Sequence, residues 1–448
     1  MNVSLFAGRA SLLPPFASRR AFARPFFLVL LAVTAVPRVF AATDVLQLRD
    51  AVEQAVERAP ILLARDASRT AASEELLRSD ALPDPMLAFG IQNLPINGPD
   101  AFTVADDRMT MRRIGMSQAL PSRAKREARR GVAQALLAQA DARAAITMLD
   151  VKRATAKAWV QLWAAQKQRD LLQDLSDQAT LAVRATRARL SGGGGSASDA
   201  LAARGTDLQL QNRIDDAESR IEQARAGLQR WLGEMPAVAA GSPPDFSKAP
   251  MPEAQLLSNL DQQGPLLIWD AQEASAEAAL SLARAEKSPD WSVGAGLARR
   301  GAGASNVAWL EIGIGLPLFS GNRQDRGIAA RNADLQSLRA SREDARRMQA
   351  EAVRKAFAQW QGVGRQVTRS RDTLLPLSSD RTSTALAAYS GGASLQEWLD
   401  ARRDEIDARL DYADLLAAWG QAWVELAYLL PDSDPFDGTT ANNLETTR

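Results

Sequence analysis

Two stretches with a strand-like pattern interrupt a chain otherwise patterned for long helices. The first opens at Pro85, reads MLAFGIQNL from Met86 to Leu94, turns through Pro95, Asn97, Gly98 and Pro99, and returns as RMTMRRIGMSQAL from Arg108 to Leu120 before Pro121. The same plan occurs again in the second half: DWSVGAGLA follows Pro289, a turn runs from Gly301 to Asn306, and VAWLEIGIGL covers Val307 to Leu316 before Pro317. In this second copy Trp291, Val293, Ala295 and Leu297 share one face, against Ser292, Gly294, Gly296 and Ala298. Ala308, Leu310, Ile312, Ile314 and Leu316 likewise alternate with Trp309, Glu311, Gly313 and Gly315. A period of two is the strand signal, and runs of about nine to eleven residues are long enough for a tilted strand to cross a bilayer. A soluble two-stranded arm would carry the same pattern. The first copy is less regular: Met109 and Met111 share their face with Arg113, which fits either a bulge or a lumen-facing stretch.

Around these hairpins the pattern predicts helices of unusual length. Asp44 to Leu82 has no glycine and a single interior proline, Pro60, and stops at Pro83-Asp84-Pro85. Ser122 to Leu190 contains one glycine, Gly131, and no proline, enough for about 100 Å of continuous helix. It ends at SGGGGSASDAL, where Gly192 to Gly195 reverse the chain and Ser196 caps a returning helix to Leu232, with Asp199 in capping-box spacing. Gly241 to Pro252, with four prolines, reads as a linker. The second half repeats the order. A helix from Pro252 to Ser288 is interrupted near Gly264-Pro265, strands follow, and a helix from about Asn322 to Tyr389 has a weak point at Pro376. A second turn, SGGASLQEWL, then places Ser394 and Glu397 in capping-box spacing. Arg189-Leu190-Ser191-Gly192 answers Ala388-Tyr389-Ser390-Gly391, and Asp199-Ala200-Leu201 answers Glu397-Trp398-Leu399. An internal duplication explains the match. In the last helix Leu395, Leu399, Ile406, Leu410, Ala413 and Ala417 recur with a period near 3.5, which calls for packing against other helices.

Residues 1–41 have the form of a cleaved secretory signal: Arg19, Arg20 and Arg24, the apolar run Phe26 to Val36, and a small residue after Val39-Phe40. Ser18-Arg19-Arg20 has a twin-arginine look, but strands bound for an outer membrane travel unfolded. The expected organisation is therefore a signal region 1–41, a first repeat 42–240 (hairpin 86–120, tip 190–196), a linker 241–252, a second repeat 253–430 (hairpin 290–316, tip 389–394) and a tail 431–448.

The chain has no cysteine and no histidine, which removes disulfides, a lipid-bearing cysteine, ordinary transition-metal cages and most catalytic constellations. Neither a phosphate-binding loop nor a dinucleotide fingerprint is present. A net charge of +1 leaves no footprint for nucleic acid. An enzyme such as a periplasmic hydrolase would need an acid–base pair in a setting that shifts its pKa, and none is visible. No apolar run beyond the signal is long enough for a helical span. Four strands per chain are fewer than the smallest membrane barrel needs, and open edges are not tolerated in lipid. Several chains must then share one barrel.

The chain after residue 43 resembles the TolC-type outer-membrane efflux family. The resemblance rests on LQLRDAVEQAVERAP, SDALPDP, the two hairpins, the exits Leu120-Pro121 and Leu316-Pro317, and the two tip motifs. It implies a mainly α fold with transmembrane β: a homotrimer in which each chain gives four strands to a twelve-stranded outer-membrane barrel, its helical hairpins forming an α-barrel tunnel in the periplasm of a Gram-negative bacterium. It also implies a periplasmic adaptor (membrane fusion) protein and an inner-membrane pump, of the RND type, as partners. ALPDPMLAFGIQNLP and MTMRRIGMSQALP look like the heavy-metal cation branch, whose members conduct cargo passively without a cofactor or a resident metal. By position in the tip motif Asp199, Glu397 and Asp400 match gate-region acids, and Tyr389 matches an aromatic that ties the closed helices together. Where the family uses a basic residue in the second turn, this chain has Ala393-Ser394. Gly192, Gly193, Ser196, Gly391, Gly392 and Ser394 are adaptor-contact candidates, although glycines that merely permit a reversal look the same. Asp199 and Glu397 serve equally as capping partners. Trp291 and Trp309 suit an aromatic belt or strand–helix packing, whereas Trp159, Trp163, Trp360, Trp419 and Trp423 read as helix-seam packing. A secreted coiled-coil adaptor without a barrel would share the signal, heptads and tips, but would not need bilayer-length strand pairs in both halves.

Overall fold

The computed structural model describes residues 45–235, 238–431 and Pro435; the signal region 1–41 and most of the 431–448 tail lie outside the described residues. The expected helix 44–82 is broken at its one interior proline. Pro60 forces the residue before it out of the helical region, so Ala59 is extended (φ −64°, ψ 116°) and separates α1 (Leu48–Arg58) from α2 (Pro60–Arg78). The two helices differ in character: α1 buries Leu48, Ala51, Val52 and Ala55, whereas α2 buries no residue.

The strands follow the alternation. β2 (Met86–Gln92) pairs antiparallel with β3 (Met111–Leu120), and β5 (Trp291–Arg300) with β6 (Val307–Ile314). The hairpins join through β3 and β5, in register from Met111↔Arg300 to Leu120↔Trp291, giving one four-stranded sheet of order β2-β3-β5-β6. Among the described residues its outer strands, β2 and β6, have no partner on their far sides. Short β1 (Val45–Leu46) and β4 (Ala239–Ala240) form a separate parallel pair.

From the base of this sheet run α3 (Arg123–Ser191) and, across the first tip, α4 (Ala197–Leu232). The second half supplies α5 (Glu253–Ser258), α6 (Leu267–Ala285), α7 (Gln324–Arg369), α8 (Leu375–Ser390) and α9 (Leu395–Ala427). Near the sheet α2 packs on α3, α3 on α6 and α6 on α7, the lateral order of the strands to which they connect. Toward the tips α4 packs on α3, α3 on α9, and α9 on α8. Asp290, just before β5, fixes the junction: its carboxylate accepts the Ser122 N–H (3.0 Å) and pairs with Lys125 Nζ (2.6 Å) at the start of α3.

Between α7 and α8 lies a wide π-turn, Ser370–Leu374. Pro376 follows in the first turn of α8. Having no N–H, it cannot donate to the carbonyl of Asp372, and in a regular helix its ring would crowd that carbonyl; the wide turn replaces the break expected there.

The segment 241–252 is more than a linker. Phe246 is buried among the indoles of Trp163, Trp419 and Trp423, at centroid distances of 5.9, 6.4 and 5.8 Å. Trp360 donates its indole N–H to the Phe246 carbonyl, and Trp423 donates to that of Lys248, each at 2.9 Å. Trp159, wholly buried, donates to Leu46 at 2.7 Å. The five tryptophans therefore do pack helix seams, and three of them, Trp159, Trp360 and Trp423, also donate their indole N–H groups to backbone carbonyls outside the long helices. Gly420 is required here, since a Cβ would meet Val160 and the Phe246 ring at 2.8 and 2.9 Å.

Candidate functional site

The two tips are built alike down to individual hydrogen bonds. At the first, Gly193 N–H donates to Leu190 O and Gly194 N–H to Arg189 O; at the second, Gly392 N–H donates to Tyr389 O and Ala393 N–H to Ala388 O. Each pair is a Schellman closure. The residue that must be left-handed is Gly193 (φ 77°) in one tip and Gly392 (φ 104°) in the other, whereas Gly192 and Gly391 have ordinary negative φ. In this alignment the extra residue of the first tip is Gly195. The helices then restart: the Ser196 hydroxyl accepts the Asp199 N–H and the Ser394 hydroxyl accepts the Gln396 N–H, both at 3.1 Å. Neither is a full capping box, because among the described residues neither the Asp199 nor the Glu397 carboxylate reaches back to its capping serine. Glu397 is thus not the capping partner that its spacing allows.

A ring stack within the second tip and a guanidinium from the first tie the two tips together. Tyr389, at the end of α8, stacks on Trp398 of α9 with centroids 6.1 Å apart and planes 9° from parallel, and the Arg189 guanidinium at the end of α3 lies 4.7 Å from the Tyr389 centroid. Trp398 and Arg189 had no place in the sequence reading, although both lie in the quoted tip motifs. Asp400 is half-buried and accepts from Gln396 Nε2 (2.9 Å), Asp199 is half-buried, and Glu397 is exposed. No ion pair among the described residues joins any of these three acids to a basic side chain.

One acid that sequence reasoning passed over lies further along α9. Glu405 is only 2% exposed and pairs with Arg402 (2.7 Å) and Arg409 (2.6 Å), one turn to either side. Burial alone would raise its pKa, but the two guanidinium groups outweigh that and hold it below the ordinary carboxylate value. A group depressed in the folded state contributes stability above its unfolded pKa of about 4.3, and loses it as pH falls through the lower folded value. Glu405→Gln is therefore expected to lower stability by about 2 kcal/mol at pH 7 and by clearly less near pH 3. Urea midpoints of both proteins across that range test this; a gap that does not narrow in acid would mean that the carboxylate's charge is not what matters.

In the sheet, register assigns every side chain to a face. Leu87, Phe89 and Ile91 of β2, Ile114 and Met116 of β3, Trp291, Val293 and Leu297 of β5, and Leu310, Ile312 and Ile314 of β6 all lie on one side. All of them are exposed, Phe89 at 83% and Leu310 at 71%. A continuous exposed apolar sheet face of this extent marks a surface that is covered in use. Trp291 stands on it at the end nearest the helices. Trp309 does not: it lies on the opposite face, its indole across the glycine track of Gly115, Gly294 and Gly296 and within 4.8 Å of the Arg113 guanidinium. That removes Trp309 from an outward belt, as its parity with Glu311 and Gly313 already implied. The same register resolves the irregular first hairpin, because Met111 and Arg113 occupy the glycine face while Arg112, Ile114 and Met116 share the apolar one.

Comparison with known proteins agrees with this architecture. Residues 265–430 match the family described as outer membrane efflux protein. CusC, from a study of conformational changes accompanying folding and transmembrane channel formation, superposes with a TM-score of 0.73 at 18% identity, covering 86% of this chain and 92% of its own. The Campylobacter jejuni CmeC outer membrane channel gives 0.69 at 13% identity, covering 87% of each chain. The open state of the Neisseria gonorrhoeae MtrE outer membrane channel gives 0.64 at 18%, covering 84% of this chain and 88% of its own. The chain has the outer-membrane efflux channel fold. No curated protein sequence matches it. In that fold the sheet and the tips lie at the two ends of the long helices. Among the described residues no helix is long and apolar enough to cross a membrane, and no group of acids is placed to hold a metal.

Proposed function

We propose that this protein is the outer-membrane channel of a tripartite efflux system in a Gram-negative bacterium, passively conducting what an inner-membrane pump delivers through a periplasmic adaptor. The observation that carries this reading is the sheet: four antiparallel strands, one face predominantly apolar and exposed, both edges open, with the helices following in the same lateral order. An open edge in lipid must be paired. β2 and β6 run in opposite directions, so β6 of one copy fits antiparallel against β2 of the next. Such a head-to-tail contact closes into a ring, and three copies make the twelve-stranded barrel that the family resemblance implies. The matching closures of the two tips support an internal duplication.

The cargo in this reading is heavy-metal cations, which rests on the sequence phrases around the first hairpin. Partners are a membrane fusion adaptor meeting the tip turns, Gly192, Gly193 and Ser196 with Gly391, Gly392 and Ser394, and a pump of the RND type. Trp291 sits where an aromatic belt at the helix-side rim belongs. Asp400, Glu397 and Asp199 line the constriction, where symmetry gathers like charges and favours cations, and Tyr389 holds it narrow through Trp398 and Arg189.

The test is the native mass of protein extracted from fractionated outer membranes with mild detergent, where a trimer is expected. A monomer in the soluble periplasmic fraction would instead mean that the sheet spans no membrane, as in a secreted adaptor. In planar bilayers Asp400→Ala with Glu397→Ala is expected to lower cation over anion selectivity several-fold; unchanged selectivity and conductance would remove these acids from the gate.

A further inference from the structure

We propose that Arg112 and Arg299 form an outward-facing site for the phosphate groups of an anionic lipid in the outer leaflet, an inference that rests on the sheet spanning the membrane. The two are register partners on adjacent strands, so their Cβ atoms are about 4.5–5.5 Å apart, and like charges placed directly opposite each other are unfavourable without a counter-charge. They are the only charged residues of the described strands on the apolar face, and both belong to the end of the sheet away from the helices. On that face the next residues toward the helices are Ile114 and Leu297, exposed and apolar, about 7 Å along each strand. Ile91 of β2 lies level with Arg112 on this face, so the pair stands at the far rim of the hydrocarbon-facing surface, from which the long arginine side chains reach the depth of lipid phosphates.

Their sequence neighbours make the contrast. Arg113 and Arg300 point to the other face and are held within the protein, Arg113 by Gln92 Oε1 (2.8 Å) and the Trp309 ring, Arg300 by the Arg108 carbonyl (3.1 Å). Arg112 and Arg299 are exposed and have neither an acidic partner nor a hydrogen bond among the described residues. The Asp107 carboxylate in the adjoining loop is already engaged by Met109 N–H, Thr110 N–H and the Thr110 hydroxyl. Two parallel guanidinium forks with no protein acceptor suit a phosphate, which they can grip bidentately. Side chains that merely reached for water would show no preference for a phosphate.

The test uses the full-length channel purified in mild detergent and two probes: lipid A bearing both phosphates, and the same lipid dephosphorylated. Binding is read by native mass spectrometry. Wild type is expected to favour the phosphorylated lipid, and Arg112→Gln with Arg299→Gln to bind it about thirtyfold more weakly; the corresponding double lysine variant falls between. Equal affinity of wild type and double variant, equal binding of both lipids, or displacement by millimolar inorganic phosphate would each overturn the site. If the double glutamine variant does not assemble, the two-lipid comparison on wild type decides. Conductance of each protein separates the cases: pores with unchanged lipid binding remove only this site, whereas no pore from wild type removes the channel reading and the site with it.

Discussion

Replacing Phe246 by alanine is expected to cost about 3–5 kcal/mol, which is large for a residue in a stretch that has no regular secondary structure. The ring fills the space among three indoles contributed by α3 and α9. Its carbonyl is the acceptor for Trp360 on α7, so the segment joins three helices that are far apart in sequence. Without the ring, Gly420 faces a cavity that its neighbours fill only by moving helix backbones. The expected result is a lowered urea midpoint and rapid proteolysis between residues 241 and 252, with outer-membrane protein much reduced. Trp419→Phe, which keeps an aromatic ring in the cage, should cost far less. If Phe246→Ala unfolds at the wild-type midpoint, the segment is a passive connection after all.

Gly296→Ala is expected to prevent assembly. A Cβ there would lie 2.3 Å from the Ile114 carbonyl oxygen and 2.6 Å from the Gly115 Cα, backbone atoms that can yield only by breaking the β3–β5 pairing, and 2.7 Å from the Trp309 indole nitrogen. Overpacking against backbone costs about 3 kcal/mol per chain, and in a closed ring every copy bears it. Assembled protein in the outer-membrane fraction should therefore fall tenfold or more. Gly90→Ala is the control, because β2 contributes to the same face and a Cβ at Gly90 would meet nothing within 4 Å. Normal assembly of Gly296→Ala would show that the indole does not lie across this track.

These two sites mark where sequence patterns carry information and where they do not. Alternation located all four strands and the parity of each residue, since a period of two is a local property. It misplaced the ends by a few residues, because Leu94, Arg108 and Met109 are apolar or basic in a manner that strands and loops share. Trp309 went wrong only where composition was allowed to override parity. The tips were legible because Schellman closures need glycine at one fixed place, and both copies have it. Pro60 stands at the first residue of α2, where a proline is well placed; the pattern marks it as the one break in the Ala- and Leu-rich run, but not that the break divides the run into two helices. The brace at 241–252 had no local signature: prolines and a glycine announce a linker, and nothing in DFSK says that four distant tryptophans converge on it. Glu405 was hidden in the same way, since arginines at i−3 and i+4 look like any solvated helix face until the helix is packed.

The wide turn at Ser370–Leu374 bears on how the tip is aimed. Such a turn takes up one residue more than an α-turn would, so the sides of α7 and α8 stay in phase as though that residue were missing. If it tightened, everything beyond it would rotate about the helix axis by about 100°. Tyr389 would then swing off Trp398, and the second turn would present a different azimuth to whatever meets it. Pro376 resists the tightening. The bearing of the tip is thus fixed by a proline and one surplus residue well away from it, and deleting Thr373 should press the Pro376 ring against the carbonyl four residues before it and kink the helix there.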